Sequence, residues 1–235
     1  MCIRDRLSII IPTLNESDNL TKILPYLQSE VPKSSVKVVV VDADRSKDNS
    51  LSVCKKHDVN YIKSTHSQRA AQMNEGARHF PSDAYFFLHA DVFPPNGFYD
   101  IIRKTLTTGH SFGLFAYWFD EKKWALNTNA FFTKFDGIFC GGGDQCHFIT
   151  RETFDSIGGY CVKHNIMEDF NLFHKIKKLR IPYQLREERA TVSARKYKHN
   201  SYLRVNMVNA VAFVKYFMKV QPDKIKSFYG KWLHT

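Results

Sequence analysis

Four acidic groups punctuate this chain, each where a strand should end or a helix should begin. Asn15-Glu16 follows the apolar run 7–12, and Asp42 and Asp44 follow four valines at 38–41. Asp91 follows Tyr85-Phe86-Phe87-Leu88-His89-Ala90, and Glu168-Asp169 opens a helical stretch. Ligands of open α/β sheets bind outside the carboxyl ends of the strands, so carboxylates gathered there point to a metal or sugar site. The turn Pro12-Thr13-Leu14-Asn15-Glu16 exposes backbone groups and side-chain oxygens that can accept from a base or ribose. Asn15 or Ser17 can equally cap the following helix. Asp42 can accept from a uracil imide or ribose hydroxyls, and Asp48 can cap a helix. Asp91 suits Mg²⁺ or Mn²⁺, which take oxygen ligands, usually one or two carboxylates plus substrate phosphates. His89 reads as a packed histidine more readily than as a ligand. Glu168-Asp169 suits a helix start, where the macrodipole favours negative charge. It also suits a general base, whose contribution to a proton-transfer step is typically ~10²–10⁴-fold.

The elements that must position these groups alternate. Residues 7–11, 36–41, 59–63 and 84–88 have the short apolar pattern of strands, the second continuous enough to be buried on both faces. Between them, residues 17–27, 47–57 and 67–78 have helical periodicity, as expected of right-handed βαβ units and a largely parallel sheet. Further on, 111–119 and 145–149 read as strands. Residues 122–135, 151–157 and 168–179 read as helices, the second ended by Gly158-Gly159. Leu172, Ile176 and Leu179 form the expected buried stripe of the last. No Pro/Gly-rich linker, internal repeat or low-complexity segment divides the chain.

The 235 residues, 43% of them hydrophobic, are enough for a sizeable core. One domain over 7–235 is expected, with 199–235 a basic amphipathic helical segment and 1–6 a non-native leader. The five cysteines form no C-x-x-C pair and no zinc-finger spacing, which reads as reduced thiols. The net charge of +11 is uneven: residues 195–235 carry nine Lys/Arg against one acid, leaving only +3 for the rest. A basic end of this kind can serve a membrane, a nucleic acid or solubility.

There is no G-x-G-x-x-G after the first strand and no G-x-x-x-x-G-K-[ST]. Instead the chain resembles the family 2 glycosyltransferases from about residue 7 to 229. The resemblance is carried by Ser8-Ile9-Ile10-Ile11-Pro12-Thr13-Leu14-Asn15-Glu16, Val40-Val41-Asp42 and Arg69-Ala70-Ala71-Gln72-Met73-Asn74-Glu75-Gly76-Ala77. It continues in Phe87-Leu88-His89-Ala90-Asp91, Gly143-Asp144-Gln145, Gly158-Gly159-Tyr160 and Met167-Glu168-Asp169. Within the family it is most similar to a small bacterial radical-SAM/selenodomain-associated subgroup, with its Gln-Met-Asn, Leu-His-Ala-Asp and Ser-Ala-Arg-Lys segments.

The resemblance implies an α/β GT-A fold for nucleotide-diphospho-sugar transfer: a Rossmann-like, mostly parallel mixed sheet flanked by helices. It implies an inverting enzyme using a UDP-linked sugar, a hydroxyl acceptor and a divalent cation, Mg²⁺ or Mn²⁺. Pro12, Thr13, Asn15, Glu16, Asp42, Arg69, Asn74 and Asp91 are then the nucleotide-sugar-binding set, with Arg69 near the diphosphate. Asp91 matches the last Asp of the family's D-x-D metal motif, with His89 in place of the first. Asp169, with Glu168, matches the catalytic base. Gly143, Asp144 and Gln145 line the acceptor side, and Arg195 and Lys196 close over the diphosphate or form a solvated basic run. The loop after Asp42 departs from the family in carrying Arg45 and an extra residue.

Residues 202–220 read as a helix with Leu203, Met207, Val211, Val214 and Met218 in one stripe and Arg204, Lys215 and Lys219 beside it. Such a stripe packs on the catalytic body or a dimer partner, or lies on an anionic membrane with its basic side chains at the headgroups. The expected location is cytoplasmic, peripheral at the inner face of the membrane, with an acceptor that can be lipid-linked. Two other readings are a nucleotidyltransferase of similar fold and a basic nucleic-acid-binding module. The first lacks its Gly-rich basic signature, and the second lacks any helix-turn-helix, zinc or RNP pattern.

Overall fold

The computed structural model describes residues 6–121, 130–137, 140–197 and 199–233. Its strands are β1 (Leu7–Thr13), β2 (Val36–Asp42), β3 (Asn60–Lys63), β4 (Ala84–Phe87), β5 (Val92–Phe93), β6 (Phe112–Phe119), β7 (Phe148–Thr150) and β8 (Tyr183–Val192). Its helices are α1 (Ser17–Glu30), α2 (Ser50–Lys56), α3 (Arg69–His79), α4 (Phe98–Thr107), α5 (Arg151–Ser156), α6 (Glu168–Lys178), α7 (Tyr202–Phe217) and α8 (Pro222–Trp232). The strands form one sheet in the order β3-β2-β1-β4-β7-β6-β8-β5. β1 is parallel to β2 and β4, β2 to β3, and β6 to β8, while β7 runs antiparallel to both β4 and β6.

Side chains alternate across the sheet, and each face has its own core. Ile9, Ile11 and Phe86 pack with Leu20, Ile23 and Leu24 of α1 and with Phe98 and Ile102 of α4. Ile10, Val41 and Phe87 pack on the other face with Ala70, Met73 and Ala77 of α3 and with Leu172 and Ile176 of α6. Burial on both faces is why β1 and β2 read as unbroken apolar runs. The register pairs Thr13 with Asp42, and Leu88 donates its amide to Ile10. The carboxyl ends of β1, β2 and β4 therefore fall along one edge.

The expected strands and helices of the first half are present with ends moved by a few residues. The strand expected at 145–149 is shorter, Phe148–Thr150, because Gln145 belongs to a 3₁₀ turn, Gly143–Gln145. Of the helix expected at 122–135, residues 122–129 lie outside the described residues, and Phe132–Lys134 form a 3₁₀ turn. The expected leader, but for Arg6, also lies outside them. Periodicity did not flag β5, α4 or β8. In β8 the run Arg186-Glu187-Glu188-Arg189 hides the strand. It pairs along its length with β6 across a bulge at Phe115/Ala116, but only its last residues meet β5. Charge on such a thinly covered strand guards against edge pairing.

Most of the expected stripe faces away from the body. Leu203, Met207, Val214 and Met218 are 76%, 64%, 58% and 72% exposed, Val211 is half-buried, and Val205, Val208 and Ala212 beside them are buried. Core packing is therefore not the use of this stripe within the chain. Among the described residues no helix is long and apolar enough to cross a membrane.

Gly113 marks a tight seam of the sheet, since a Cβ there would lie 2.2 Å from the ring of Phe148. Overpacking of this kind costs about 1–3 kcal/mol. Gly113→Ala is expected to lower the urea midpoint by a corresponding amount with an unchanged slope. An unchanged midpoint would show that β6 and β7 are not packed this closely.

Candidate active site

The β1 and β2 ends are pinned from below by the fully buried Gln72, whose amide donates to the carbonyls of Thr13 (2.9 Å) and Val41 (2.7 Å). Asp42, 2% exposed, accepts from Thr13 Oγ1 at 3.0 Å, Tyr61 OH at 2.9 Å and Lys63 Nζ at 3.1 Å. Both of its oxygens thus order the floor of the site. Beyond β1 the chain turns through Asn15, in the left-handed region at φ +56°. Asn15 Oδ1 accepts from the Lys47 amide at 2.8 Å, so this side chain joins two loops instead of capping α1. Ser17 does not cap α1 either. That end is held by Asp48, which accepts from the Ser17 amide at 2.6 Å and from the Ser50 amide at 3.1 Å.

Glu16 and Asp91 come from different strand ends and meet at one cation. Arg195 grips Glu16 with both terminal nitrogens, at 2.8 and 2.6 Å, and its Nε lies 3.0 Å from Asp91 Oδ2. Burial pushes the Asp91 carboxyl up to about 6, against the pull of Arg195. Lys196, next in the chain, turns the other way. Its ammonium reaches Tyr229 OH and Asn209 Oδ1, and burial brings it down to about 8. Of the two residues expected to close over the diphosphate, the structure brings only Arg195 to Glu16 and Asp91.

Glu168 and Asp169 occupy the first turn of α6, both buried, after Met167 in the left-handed region. Arg69, at the start of α3, meets Glu168 with Nε 2.7 Å from Oε1. This is a charge contact without hydrogen-bond alignment, since neither Glu168 oxygen accepts a hydrogen bond among the described residues. Burial and the Glu168 charge push Asp169 up to about 8, and Arg69 opposes them. His89 stands between the two halves. Its Nε2 is 3.9 Å from Asp169 Oδ2 and its Nδ1 is 3.9 Å from Asp144 Oδ1. Burial, then the nearby Arg69, hold this imidazole well below its ordinary range, so it spaces the carboxylates as a neutral ring. Gly143 lies against both, and a Cβ there would come within 2.4 Å of Asp169 Oδ2 and of the His89 ring.

Other residues singled out from the sequence serve the scaffold. Asn74 pairs in both directions with the Tyr160 backbone, at 2.8 and 2.9 Å, and so fixes the loop that carries Tyr160. Gln145 is fully buried: it accepts from the Gly141 amide and donates to the carbonyls of Phe115 and Thr133. Asp144 keeps an open face, with its side chain 44% exposed. Pro12 and Thr13 are buried in the end of β1. Gln72 and Tyr160 were not singled out as site residues, although both stand inside the motif segments. The signal was their polarity at positions where the pattern calls for core.

Among the described residues no three His, Cys, Asp or Glu side chains converge to hold a metal ion unaided. The donor set does fit a cation bound chiefly by substrate phosphates, since Asp91 is one under-neutralised carboxylate with a guanidinium standing beside it. A surface hollow of about 540 Å³ around Asp136 and Lys177 carries none of these site carboxylates.

Residues 8–176 match the model of a family described as glycosyl transferase family 2. A relative from Methanococcus voltae is 31% identical over 100 residues, 39% of this chain and 31% of that protein. It is a dolichyl N-acetyl-α-D-glucosaminyl phosphate 3-β-D-2,3-diacetamido-2,3-dideoxy-β-D-glucuronosyltransferase, and this chain matches about a third of its length. The mannosyltransferase PcManGT from Pyrobaculum calidifontis, solved with GDP-Man and Mn²⁺, superposes with a TM-score of 0.70 at 17% identity, over 97% of this chain and 68% of that one. S. aureus TarS 1–349 with UDP-GlcNAc gives 0.65 at 14% identity, over 97% and 71%. Glucosyl-3-phosphoglycerate synthase from Mycobacterium tuberculosis, with Mn²⁺ and UDP, gives 0.59 at 11%, over 90% and 79%. The shared architecture is the GT-A fold.

The raised Asp169 has a consequence for stability. The folded state holds this proton up to about pH 8, whereas the unfolded chain releases it near 4. Native protein therefore binds more protons in that window, and stability falls as pH rises through it. Asp169→Asn removes the penalty, so its stability relative to the parent should climb between pH 5.5 and pH 8.5 in urea titrations. A gap that stays flat or narrows would mean that Asp169 ionises as an ordinary carboxylate.

Proposed function

Because the chain belongs to glycosyl transferase family 2, we propose that it moves a sugar from a UDP-linked donor to a hydroxyl acceptor, with inversion at the anomeric carbon. The observation that carries this reading is Asp169, a buried carboxyl pushed up to about 8 and separated by the neutral His89 ring from the donor edge of Glu16, Asp91 and Arg195. A base near the working pH is better matched to an alcohol proton than an ordinary carboxylate. Asp169 takes the proton from the acceptor oxygen as that oxygen bonds to the anomeric carbon. The bond from that carbon to the diphosphate breaks, and its electron pair leaves on the β-phosphate oxygen. One displacement of this kind inverts the centre.

Glu168 stands beside Asp169 and is itself held by Arg69, which makes Arg69 a positioning group of the base in this arrangement. Glu16, with Asn15 and the Thr13 end of β1, borders the nucleoside, over a floor ordered by Asp42. Gly143 and Asp144 border the acceptor. A divalent cation, Mg²⁺ or Mn²⁺, held by Asp91 with His89 beside it, neutralises charge on the leaving diphosphate when bound. PcManGT and the M. tuberculosis synthase, both crystallised with Mn²⁺, support that cofactor. UDP as the nucleotide is supported by the TarS and synthase complexes, while PcManGT carries GDP-Man.

The acceptor we propose is lipid-linked, reached from the cytoplasmic face of an anionic membrane. Support comes from the dolichyl phosphate acceptor in the name of the M. voltae relative and from the outward stripe of α7 beside Arg204, Lys215 and Lys219. An apolar stripe rimmed by basic side chains suits the headgroup boundary. A cavity of about 400 Å³, lined by Ile166, Tyr216, Phe217 and Val220, lies between this hairpin and the loop that leads to Glu168.

A panel of nucleotide sugars with and without Mn²⁺ should raise the melting temperature for UDP-linked donors, with the metal enhancing the shift. Asp169→Asn should keep that shift and lose transfer by about 10²–10⁴-fold. Normal turnover in this variant would remove Asp169 as the base. For the membrane, the protein should float with vesicles containing phosphatidylglycerol and not with neutral ones. Met207→Glu together with Met218→Glu should abolish flotation, and equal flotation of parent and variant would rule out the α7 stripe as the contact.

A further inference from the structure

Glu16 and Asp91 lie 75 positions apart in the sequence, yet each touches the same guanidinium. Arg195 makes two contacts at 2.6 and 2.8 Å to Glu16 and one at 3.0 Å to Asp91. The backbone that presents it is fixed independently. Ser193 N donates to the Asp91 carbonyl at 3.1 Å, and Ala194 N to Asp120 Oδ1 at 2.8 Å. Lys196 is anchored on Tyr229 and Asn209 in the C-terminal hairpin. The 3₁₀ turn Ala194–Tyr197 is thus a strap held at both sides, and from it the half-exposed Arg195 side chain reaches the two carboxylates.

We infer that Arg195 is a placeholder cation of the donor site, which occupies Asp91 until a nucleotide diphosphate arrives and then exchanges carboxylates for phosphate oxygens. A guanidinium never loses its proton, so one positive charge stands against the two carboxylates at every working pH. Its planar fork matches phosphate as well as carboxylate, which gives the swung-out side chain an equivalent partner on the ligand. The exchange has a direct consequence for metal binding. Without nucleotide, a divalent ion must compete with a like charge in contact with Asp91. With nucleotide, Arg195 has left and the phosphates add ligands. Metal and donor then bind as a pair, and the metal alone binds weakly.

The inference rests on the proposed donor site at Glu16 and Asp91, and Mn²⁺ binding separates the two. Free Mn²⁺ would be measured by electron paramagnetic resonance with the full chain, without and with UDP, on the parent, Arg195→Ala, Arg195→Lys and Asp91→Asn, each checked for a cooperative melt. Without nucleotide, Arg195→Ala should bind Mn²⁺ about tenfold tighter or more, the scale of losing a contacting like charge at a partly exposed site. Arg195→Lys, which keeps the charge, should stay near the parent. The tightening should vanish when Asp91→Asn is added. If UDP brings Mn²⁺ to the parent through Asp91 but Arg195→Ala binds the ion no tighter without UDP, the placeholder role fails and the donor site stands. If UDP brings Mn²⁺ to none of the proteins, the donor-site reading fails and the placeholder with it.

Discussion

The close approach of α3 to β1 is the constraint on which the site depends. A Cβ on Gly76 would lie 2.6 Å from Ile10, so a larger residue would hold the helix away from the sheet. At this distance three polar residues of one helix reach three separate parts of the chain. Arg69 meets Glu168 on α6, Gln72 ties the carbonyls at the ends of β1 and β2, and Asn74 clasps the Tyr160 backbone. The ends of β1 and β2 and the carboxylates at the start of α6 are therefore fixed by the same rigid rod. A shift of α3 along β1 would misplace both together.

Electrostatics give the same picture at the level of charge. The site collects Glu16, Asp91, Asp144, Glu168 and Asp169 against two arginines, and the share of positive charge is unequal. Glu168 has Arg69 in contact, Glu16 and Asp91 divide Arg195, and Asp169 has no cation of its own in contact among the described residues. Burial favours the protonated form and here outweighs the pull of Arg69 and Arg195, which is why Asp169 and Asp91 rise while Asp44, exposed and accepting from Ser67 and Arg45, falls. The pattern sorts the carboxylates of this glycosyltransferase into those that are neutralised and those left ready to take a proton or a cation.

The sheet centre was legible because burial on both faces leaves a plain apolar signature at Ile9–Ile11 and Val38–Val41. The sites after those strands were legible for the same reason, since a charged residue that ends an apolar run must reach solvent or a partner. The partners were not. Asn74 resembles a ligand residue in the motif, yet its amide answers backbone groups 86 positions away. Gln145 likewise serves buried carbonyls, and Lys196 a tyrosine 33 positions on. Periodicity records which way a side chain faces, and the choice among distant polar partners is made only when the loops close. β8 was missed because its four consecutive charges contradict the strand pattern, although a strand paired on one side tolerates them.

Asp48 links the first two βα units in a way that bears on how the molecule opens. One carboxylate accepts from the first turns of both α1 and α2, while Asn15 and Ser46 cross-link the loops that precede those turns. Neither helix start can fray without unsatisfying the other, so the two units share a single opening event instead of breathing separately. The ends of β1 and β2 are thereby tied into one cooperative unit at this edge of the sheet.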